Sequence, residues 1–251
     1  MSYQYNSNTS SSKRKPDDFN ENVSSNKSRK TFDGATPQHV VANHYNNIED
    51  KGKQRRLESK IIFLRNFNNW VKSVLIGKNT PEQGVVLDIG CGKGGDLLKW
   101  GKAKISKLVG LDVAEVSIND AKNRWGKIDH KFDAEFHVFD CFSKRISMIE
   151  SIKNIEFDVV SMQFCLHYSF ETEEKAKMAL QNISSNLKKG GSFIGTSLRP
   201  DQLEFGNSIY SIRFEQKNHF PTFGHKYWFN LEDAINDCPE YLVHFPTFKR
   251  Y

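Results

Sequence analysis

From Val86 to Gly95 the chain reads Val-Leu-Asp-Ile-Gly-Cys-Gly-Lys-Gly-Gly, an apolar run that ends in glycines. Such a run is the exit of a buried strand, and Gly90, Gly92, Gly94 and Gly95 let the backbone turn sharply and approach a ligand closely. Asp112, 22 residues after Gly90, closes a second apolar run and is placed to bind ribose hydroxyls. Glycine clusters of this kind serve dinucleotides and S-adenosylmethionine alike, so they do not choose between the two. Three details do choose. The spacing is G-x-G-x-G-G and not G-x-G-x-x-G, Asp88 lies inside the strand just before the turn, and a further acid, Asp140, closes a third strand. A sulfonium ligand is cationic and has no pyrophosphate, so acids around the turn attract it where they would repel a dinucleotide. Each acid taken alone is equally a helix cap or a turn former, but their joint placement at three strand ends favours a methyl donor.

The elements that must position these residues follow from periodicity. Ile61, Ile62, Leu64, Phe67, Val71 and Val74 recur at three- and four-residue steps, which predicts an amphipathic helix over 59–75. Strands are predicted over 85–89, 107–112, 134–139, 157–162 and 192–196, with helical patterns from Asp96, from Glu115 to Trp125, and from Thr172 to Leu187, the last ended by Lys188-Lys189-Gly190-Gly191. Strands alternating with helices imply an α/β fold with right-handed crossovers and a mainly parallel, Rossmann-like sheet. Later runs, Ile209 to Phe214 and His225 to Phe229, read as a meander inserted beside the site.

At 251 residues the chain has room for one substantial domain and a tail. Residues 1–38 are rich in Ser, Asn, Lys and Asp and poor in large aliphatic residues, so they are expected to be disordered, leaving 39–251 as the folded domain. Within the tail, Lys13-Arg14-Lys15 and Lys27-Ser28-Arg29-Lys30 form a bipartite basic arrangement suited to a nuclear-import receptor or to RNA phosphates, or simply a solvating tail. Lys and Arg number 36 against 30 Asp and Glu, a net charge of +6 that favours an anionic partner without proving one. The four cysteines, at 91, 141, 165 and 238, lack disulfide-scaffold or C-x-x-C spacing, and no secretion signal or membrane-length apolar run is present. The expectation is a soluble protein that stays inside the cell and does not engage a membrane. No Cys/His spacing suggests a metal, and no Ser-His-Asp grouping stands out.

Four segments then agree in order and spacing: 64–72 (Leu-Arg-Asn-Phe-Asn-Asn-Trp-Val-Lys), 87–100, 114–118 (Ala-Glu-Val-Ser-Ile) and 163–168 (Gln-Phe-Cys-Leu-His-Tyr). Together they resemble the eukaryotic mRNA cap (guanine-N7) methyltransferase family, fungal members most, from about Val40 to Phe245. The resemblance implies the class I S-adenosylmethionine-dependent methyltransferase fold. It also implies methyl transfer from S-adenosylmethionine to N7 of the cap guanosine on nuclear transcripts. Methyl transfer needs no metal, and nothing in the sequence calls for more than a monomer. Capped mRNA is then the partner, with the RNA polymerase II C-terminal domain and other capping enzymes as expected neighbours. By similarity, Lys72, Gly90, Asp112, Asp140, Gln163 and Tyr168 would hold S-adenosylmethionine, and Asn68, Asn69, Lys93, Lys99, Arg124, His167 and Glu240 would line the cap guanosine and its triphosphate. Lys93, Lys99 and Arg124 are cations suited to phosphates, although surface lysines are more often just solvated. Glu240 has the acceptor pair that a guanine N1–H and 2-amino group require. His167 invites assignment as a general base, but N7 carries a lone pair and no proton, so a polar cap contact suits it better.

The sequence departs from the family in two places. Only Ser197 to Glu204 stands where the family carries a longer helical excursion after its fifth strand. Past the Val243–Pro246 region the family continues with a helix, two more strands and a tyrosine that touches the cap, so the sheet is expected to lack its last two strands. A sheet ending at strand five would expose an unpaired flank. This predicts a less stable and less active chain, with a non-catalytic cap-binding or scaffold protein as the alternative.

Overall fold

The computed structural model describes residues 37–47, 57–129, 132–197 and 204–250. These belong to one compact unit, Ala35–Tyr251. The basic clusters and the expected disorder of the tail lie outside the described residues, except that helix α1 (Pro37–Asn46) starts within the stretch expected to be disordered. A proline is accommodated in a first helical turn, where its missing N–H has no intrahelical partner to lose.

Five parallel strands form the main sheet in the order β3-β2-β1-β4-β5, with β1 Val85–Ile89, β2 Lys107–Asp112, β3 Asp133–Val138, β4 Phe157–Gln163 and β5 Leu187–Thr196. Helix α2 (Ile62–Asn79) leads into β1, and α3 (Leu97–Lys102), α4 (Glu115–Trp125), α5 (Leu166–Ser169) and α6 (Glu173–Asn186) lie between the strands. The strand order reverses between β1 and β4, both of which pair in parallel register, and this is where a doubly wound sheet opens a crevice. Alternation along β1 builds both layers. Val86 joins Leu108, Val159 and Ile194 against Trp100, Ile118 and Ile76, while Leu87 and Ile89 join Val109, Leu111, Val160 and Met162 against Phe170 and Ile183. Each fully buried side chain of this size stabilises the fold by about 1.5–3 kcal/mol relative to exposure.

A second, antiparallel sheet follows, ordered β6 (Glu204–Gly206), β7 (Tyr210–Phe214), β8 (Lys226–Leu231) and β9 (Ile235–Tyr241), and a short helix α7 (Phe245–Phe248) comes after it. The expected meander is thus β7 and β8, joined by β9, which sequence periodicity did not mark. The segment Ile-Asn-Asp-Cys-Pro-Glu-Tyr is poor in β-formers, and pairing with β8 and burial of its last four residues hold it extended. Residues 188–191 also differ from expectation. They end no helix by themselves, since α6 stops at Asn186 and Leu187 already pairs with Phe157; the register then slips so that Val159 faces Ser192, with Gly190 at φ +83° inside the irregularity.

The predicted helix over 59–75 forms as α2, but its apolar stripe is not buried as a unit. Ile61 and Ile76 are enclosed, whereas Phe63, Phe67 and Trp70 are 82%, 58% and 62% exposed. The helix packs on β5 and α3, and β5 has β4 on one side and no strand on its other side among the described residues. That unpaired flank is the one the sequence predicted. The segment after β5 falls partly on residues 198–203, outside the described residues.

Candidate functional site

At the carboxyl ends of β1, β2 and β4 lies a cavity of about 280 Å³. Its floor is the glycine turn. The amides of Gly90 and Cys91 both donate to the Leu111 carbonyl, at 2.7 and 3.1 Å, which folds the end of β1 onto β2. Gly90 has φ +70°, and a Cβ there would come within 2.7 Å of Cys165 Sγ, so the position excludes any side chain. Asp112 faces the turn. Its Oδ2 accepts from the Gly92 amide at 2.9 Å and its Oδ1 from the Ala114 amide at 2.9 Å, so one carboxylate ties the turn to the start of α4 and stays aimed at the cavity. Burial raises its pKa, and the amides of Ala114, Gly92 and Val113 work against that rise by stabilising the charged form.

Asp140 lines the same cavity from the loop after β3, where its Oδ1 accepts from the Phe142 amide at 3.0 Å. This loop is clamped from α6. The buried Asn182 donates to the carbonyls of Cys141 and Lys144, both at 2.8 Å, and accepts from the Ile146 amide at 3.0 Å. Gln163, at the end of β4, donates to Ser161 Oγ at 3.2 Å and accepts from Thr196 Oγ1 at 3.0 Å, which fixes its amide at the cavity wall. Phe164 follows with φ +58°, a strained conformation for an aromatic residue, held by its amide's hydrogen bonds to the carbonyl and hydroxyl of Thr196. Gly90, Asp112, Asp140, Gln163 and Tyr168 are therefore brought together around one cavity.

Lys72 is placed elsewhere. Its ammonium pairs with Asp96 at 2.8 Å, and Lys99 pairs with the same carboxylate at 2.8 Å while donating to Asn69 Oδ1 at 2.9 Å. Asn69, Lys72 and Lys99 thus form one polar cluster where α2 meets α3, with Asn68 beside it in sequence. Lys93 leaves the glycine turn in another direction, to Asp120 on α4 at 3.0 Å, with Arg124 one helical turn further along. Asp88 does not reach the cavity. It is buried under the turn, and burial together with the neighbouring Asp96 pushes its pKa up to about 7.

The remaining two expected cap residues meet beside the cavity. His167, on α5, and Glu240, on β9, are 2% exposed each, with His167 Nε2 3.5 Å from Glu240 Oε1. Burial holds the His167 pKa down to about 3, so the ring is neutral and this contact is not an ion pair at neutral pH. Neither ring nitrogen has a hydrogen-bond partner among the described residues. Burial raises Glu240 to about 7 despite a hydrogen bond of 2.7 Å that its Oε2 accepts from the Tyr227 hydroxyl. Tyr168 bridges the two regions, with its ring 4.2 Å from that of His167 and its hydroxyl 3.1 Å from that of Tyr45.

Sequence reasoning missed several of these groups. Tyr45 and Val41 bring α1 to the cavity wall, and Asn46 anchors that helix by accepting from the Val116 amide near the start of α4 at 3.2 Å. Pro239 and Tyr241, flanking Glu240, join the wall from β9. No local pattern marks these residues, because a pocket wall drawn from separate elements has no spacing of its own. Among the described residues, no group of His, Cys, Asp or Glu is arranged to hold a metal ion, and no helix is long and apolar enough to cross a membrane.

Known proteins place this arrangement in a family. The model of the mRNA (guanine-N(7))-methyltransferase domain matches residues 27–251. The mRNA cap guanine-N(7) methyltransferase of Schizosaccharomyces pombe is 46% identical over 231 residues, covering 84% of this chain and 64% of that protein. The enzyme of the same name from Cryptococcus neoformans var. neoformans serotype D is 48% identical over 225 residues, 83% of this chain and 32% of that protein. The one from Drosophila melanogaster is 43% identical over 247 residues, 85% and 57%. The chain spans between about a third and just under two thirds of the length of these relatives. A match over most of the sequence, at these identities and in organisms this distant, shows that the chain belongs to the mRNA (guanine-N(7))-methyltransferase family.

Proposed function

We propose that the chain transfers the methyl group of S-adenosylmethionine to N7 of the 5′ cap guanosine of RNA. The observation that carries this reading is a buried carboxylate, Glu240, held on β9 between Pro239 and Tyr241, two residues that line the cavity at the carboxyl ends of the parallel strands. A carboxylate there accepts from the N1–H and 2-amino group of a guanine, and the cavity beside it suits the donor. The fit to S-adenosylmethionine rests on the chain's own groups. Asp112, oriented by two amides, offers acceptors to ribose hydroxyls; Asp140 and Asp112 make the cavity hospitable to a cation; Phe142, Cys141 and Leu111 give it apolar walls. When bound, the cofactor supplies a methyl group on a positively charged sulfur.

The residues then have to align and not to move protons. Guanine N7 presents an in-plane lone pair, loses no proton and gains positive charge, so no general base is required. A neutral His167 suits this chemistry, because an imidazolium at that place would oppose the charge developing on the guanine. Glu240 in its ionised form favours it. Asn68, Asn69, Lys99, Lys93 and Arg124 are proposed to guide the triphosphate, and Lys72 to act from the edge of the Asp96 cluster. By the same reading the chain works in the nucleus, with RNA polymerase II and other capping enzymes as neighbours.

Incubation with methyl-labelled S-adenosylmethionine and either GpppN-capped or uncapped RNA, followed by nuclease digestion, tests the proposal. Label is expected in N7-methylguanosine and only from the capped RNA. Label on uncapped RNA, or none at all, would overturn it. Capped-end binding without transfer would favour the non-catalytic alternative.

A further inference from the structure

Glu240 sits among groups supplied by four elements. Tyr227 faces it from β8, His167 and Tyr168 from α5, Tyr45 from α1, and Cys238 from its own strand β9. Among these, Tyr227 is the one that gives Glu240 a hydrogen bond of ordinary length, 2.7 Å to Oε2, while His167 Nε2 stands 3.5 Å from Oε1, beyond a good hydrogen bond. The tyrosine is fully buried and belongs to the apolar cluster of the second sheet, with Ile212, Phe214 and Phe229, so its hydroxyl is held in place by packing. Register does the rest. Tyr227 and Glu240 are paired across β8 and β9, so the two side chains rise from one face at adjacent positions.

We infer that Tyr227 is a positioning residue for cap recognition: its hydroxyl, donating to Oε2, fixes the Glu240 carboxylate and keeps it in the acceptor form that guanine needs, leaving Oε1 toward His167. This deepens the proposed function and rests on the reading of Glu240 as the guanine acceptor. The physical reason is that a hydroxyl donor stabilises a carboxylate over a carboxylic acid, and in a buried place where water cannot do so that single donor counts for much. Burial lifts the Glu240 pKa to about 7 even with this hydrogen bond, so losing it shifts the balance toward the acid near neutral pH. A carboxylic acid carries a proton where guanine also presents one.

The test measures methylation of the cap dinucleotide GpppG, with KM and kcat followed from pH 6 to 9, in the wild type, Y227F and E240Q. Y227F is expected to move the acid limb of kcat/KM to higher pH and to raise the GpppG KM at pH 7 about 5- to 10-fold, a defect that shrinks toward pH 9. Affinity for S-adenosylhomocysteine reports whether the variant is folded. A second variant carries 3-fluorotyrosine at position 227, which keeps ring and hydroxyl but donates more strongly; it is expected to move the limb to lower pH. A limb that stays at the wild-type position in folded Y227F, or in the fluorotyrosine protein if Y227F does not fold, overturns the inference. E240Q separates this from the underlying reading. A raised KM with no acid limb supports Glu240 as the acceptor, whereas a wild-type KM and limb in E240Q would remove that reading itself.

Discussion

At the scale of single residues, the two acids flanking the glycine turn illustrate how placement decides role. Asp112 and Asp88 both stand on strands beside the turn, yet Asp112 opens onto the cavity and Asp88 lies beneath it. D112N keeps the shape but loses the charge and half of the acceptor capacity, so S-adenosylhomocysteine affinity measured calorimetrically is expected to fall about 10- to 100-fold, the range for one lost charge-assisted contact. Unchanged affinity would remove Asp112 from the cofactor site. For Asp88 the expected signature is in stability. Its pKa is raised in the folded chain to about 7, above its ordinary value, so the stability tied to its bound proton is complete in acid and is lost as pH rises toward 7. Against D88N, whose amide does not titrate, the wild type should lose about 1.4 kcal/mol per pH unit across that window. Urea unfolding of both proteins between pH 5 and 8 measures this difference, and a flat difference would contradict it. The glycines, Asp112 and Asp140 were legible in the sequence because strand ends and a glycine turn have a fixed local grammar, whereas Gln163 came only with the family resemblance. The neutrality of His167 was not legible, since it comes from burial by distant segments.

At the scale of elements, the loop after β3 shows how one side chain can hold a site together. Asn182 on α6 satisfies two carbonyls and an amide of the 141–146 stretch, next to Asp140. N182A would leave these buried groups without partners, and is expected to cost roughly 2–4 kcal/mol in chemical denaturation and to weaken S-adenosylhomocysteine binding together with stability. A loss of stability alone, with cofactor affinity intact, would mean that the loop holds Asp140 without the clamp. The first four parallel strands and α4 could be read from periodicity with ends accurate to within a residue or two, because each carries its own apolar run, whereas β5 begins at Leu187, five residues before its predicted start. β9 could not, because its extended form depends on β8 beside it and not on its residue types. The same strand supplies Glu240, Pro239 and Tyr241, so the part of the site hardest to foresee is the part proposed to read the cap.

At the scale of the whole molecule, the main sheet has a covered centre and an open margin. β5 lacks a neighbour on one side among the described residues, and Phe63, Phe67 and Trp70 stand exposed on α2, which packs against that strand. An unpaired strand beside apolar side chains invites association. Extending the chain by a segment that adds a strand to β5 is therefore expected to raise the melting temperature by several degrees and to reduce concentration-dependent aggregation in light scattering, along with higher turnover. Equal melting, scattering and turnover would show that the margin is harmless. The sequence by itself determined the parallel α/β sheet, the glycine turn with its acids, and the family, because these rest on local alternation, on spacing along one strand–turn–helix unit, and on four motifs in order. The tertiary structure alone decided that α1 closes the cavity, that Asp88 turns under the turn, that Lys72 shares Asp96 with Lys99, and that Tyr227 stands over Glu240. Each of these joins segments far apart in the chain, and such meetings are fixed by how packed layers bury their faces, not by any pattern that a single stretch of residues can carry.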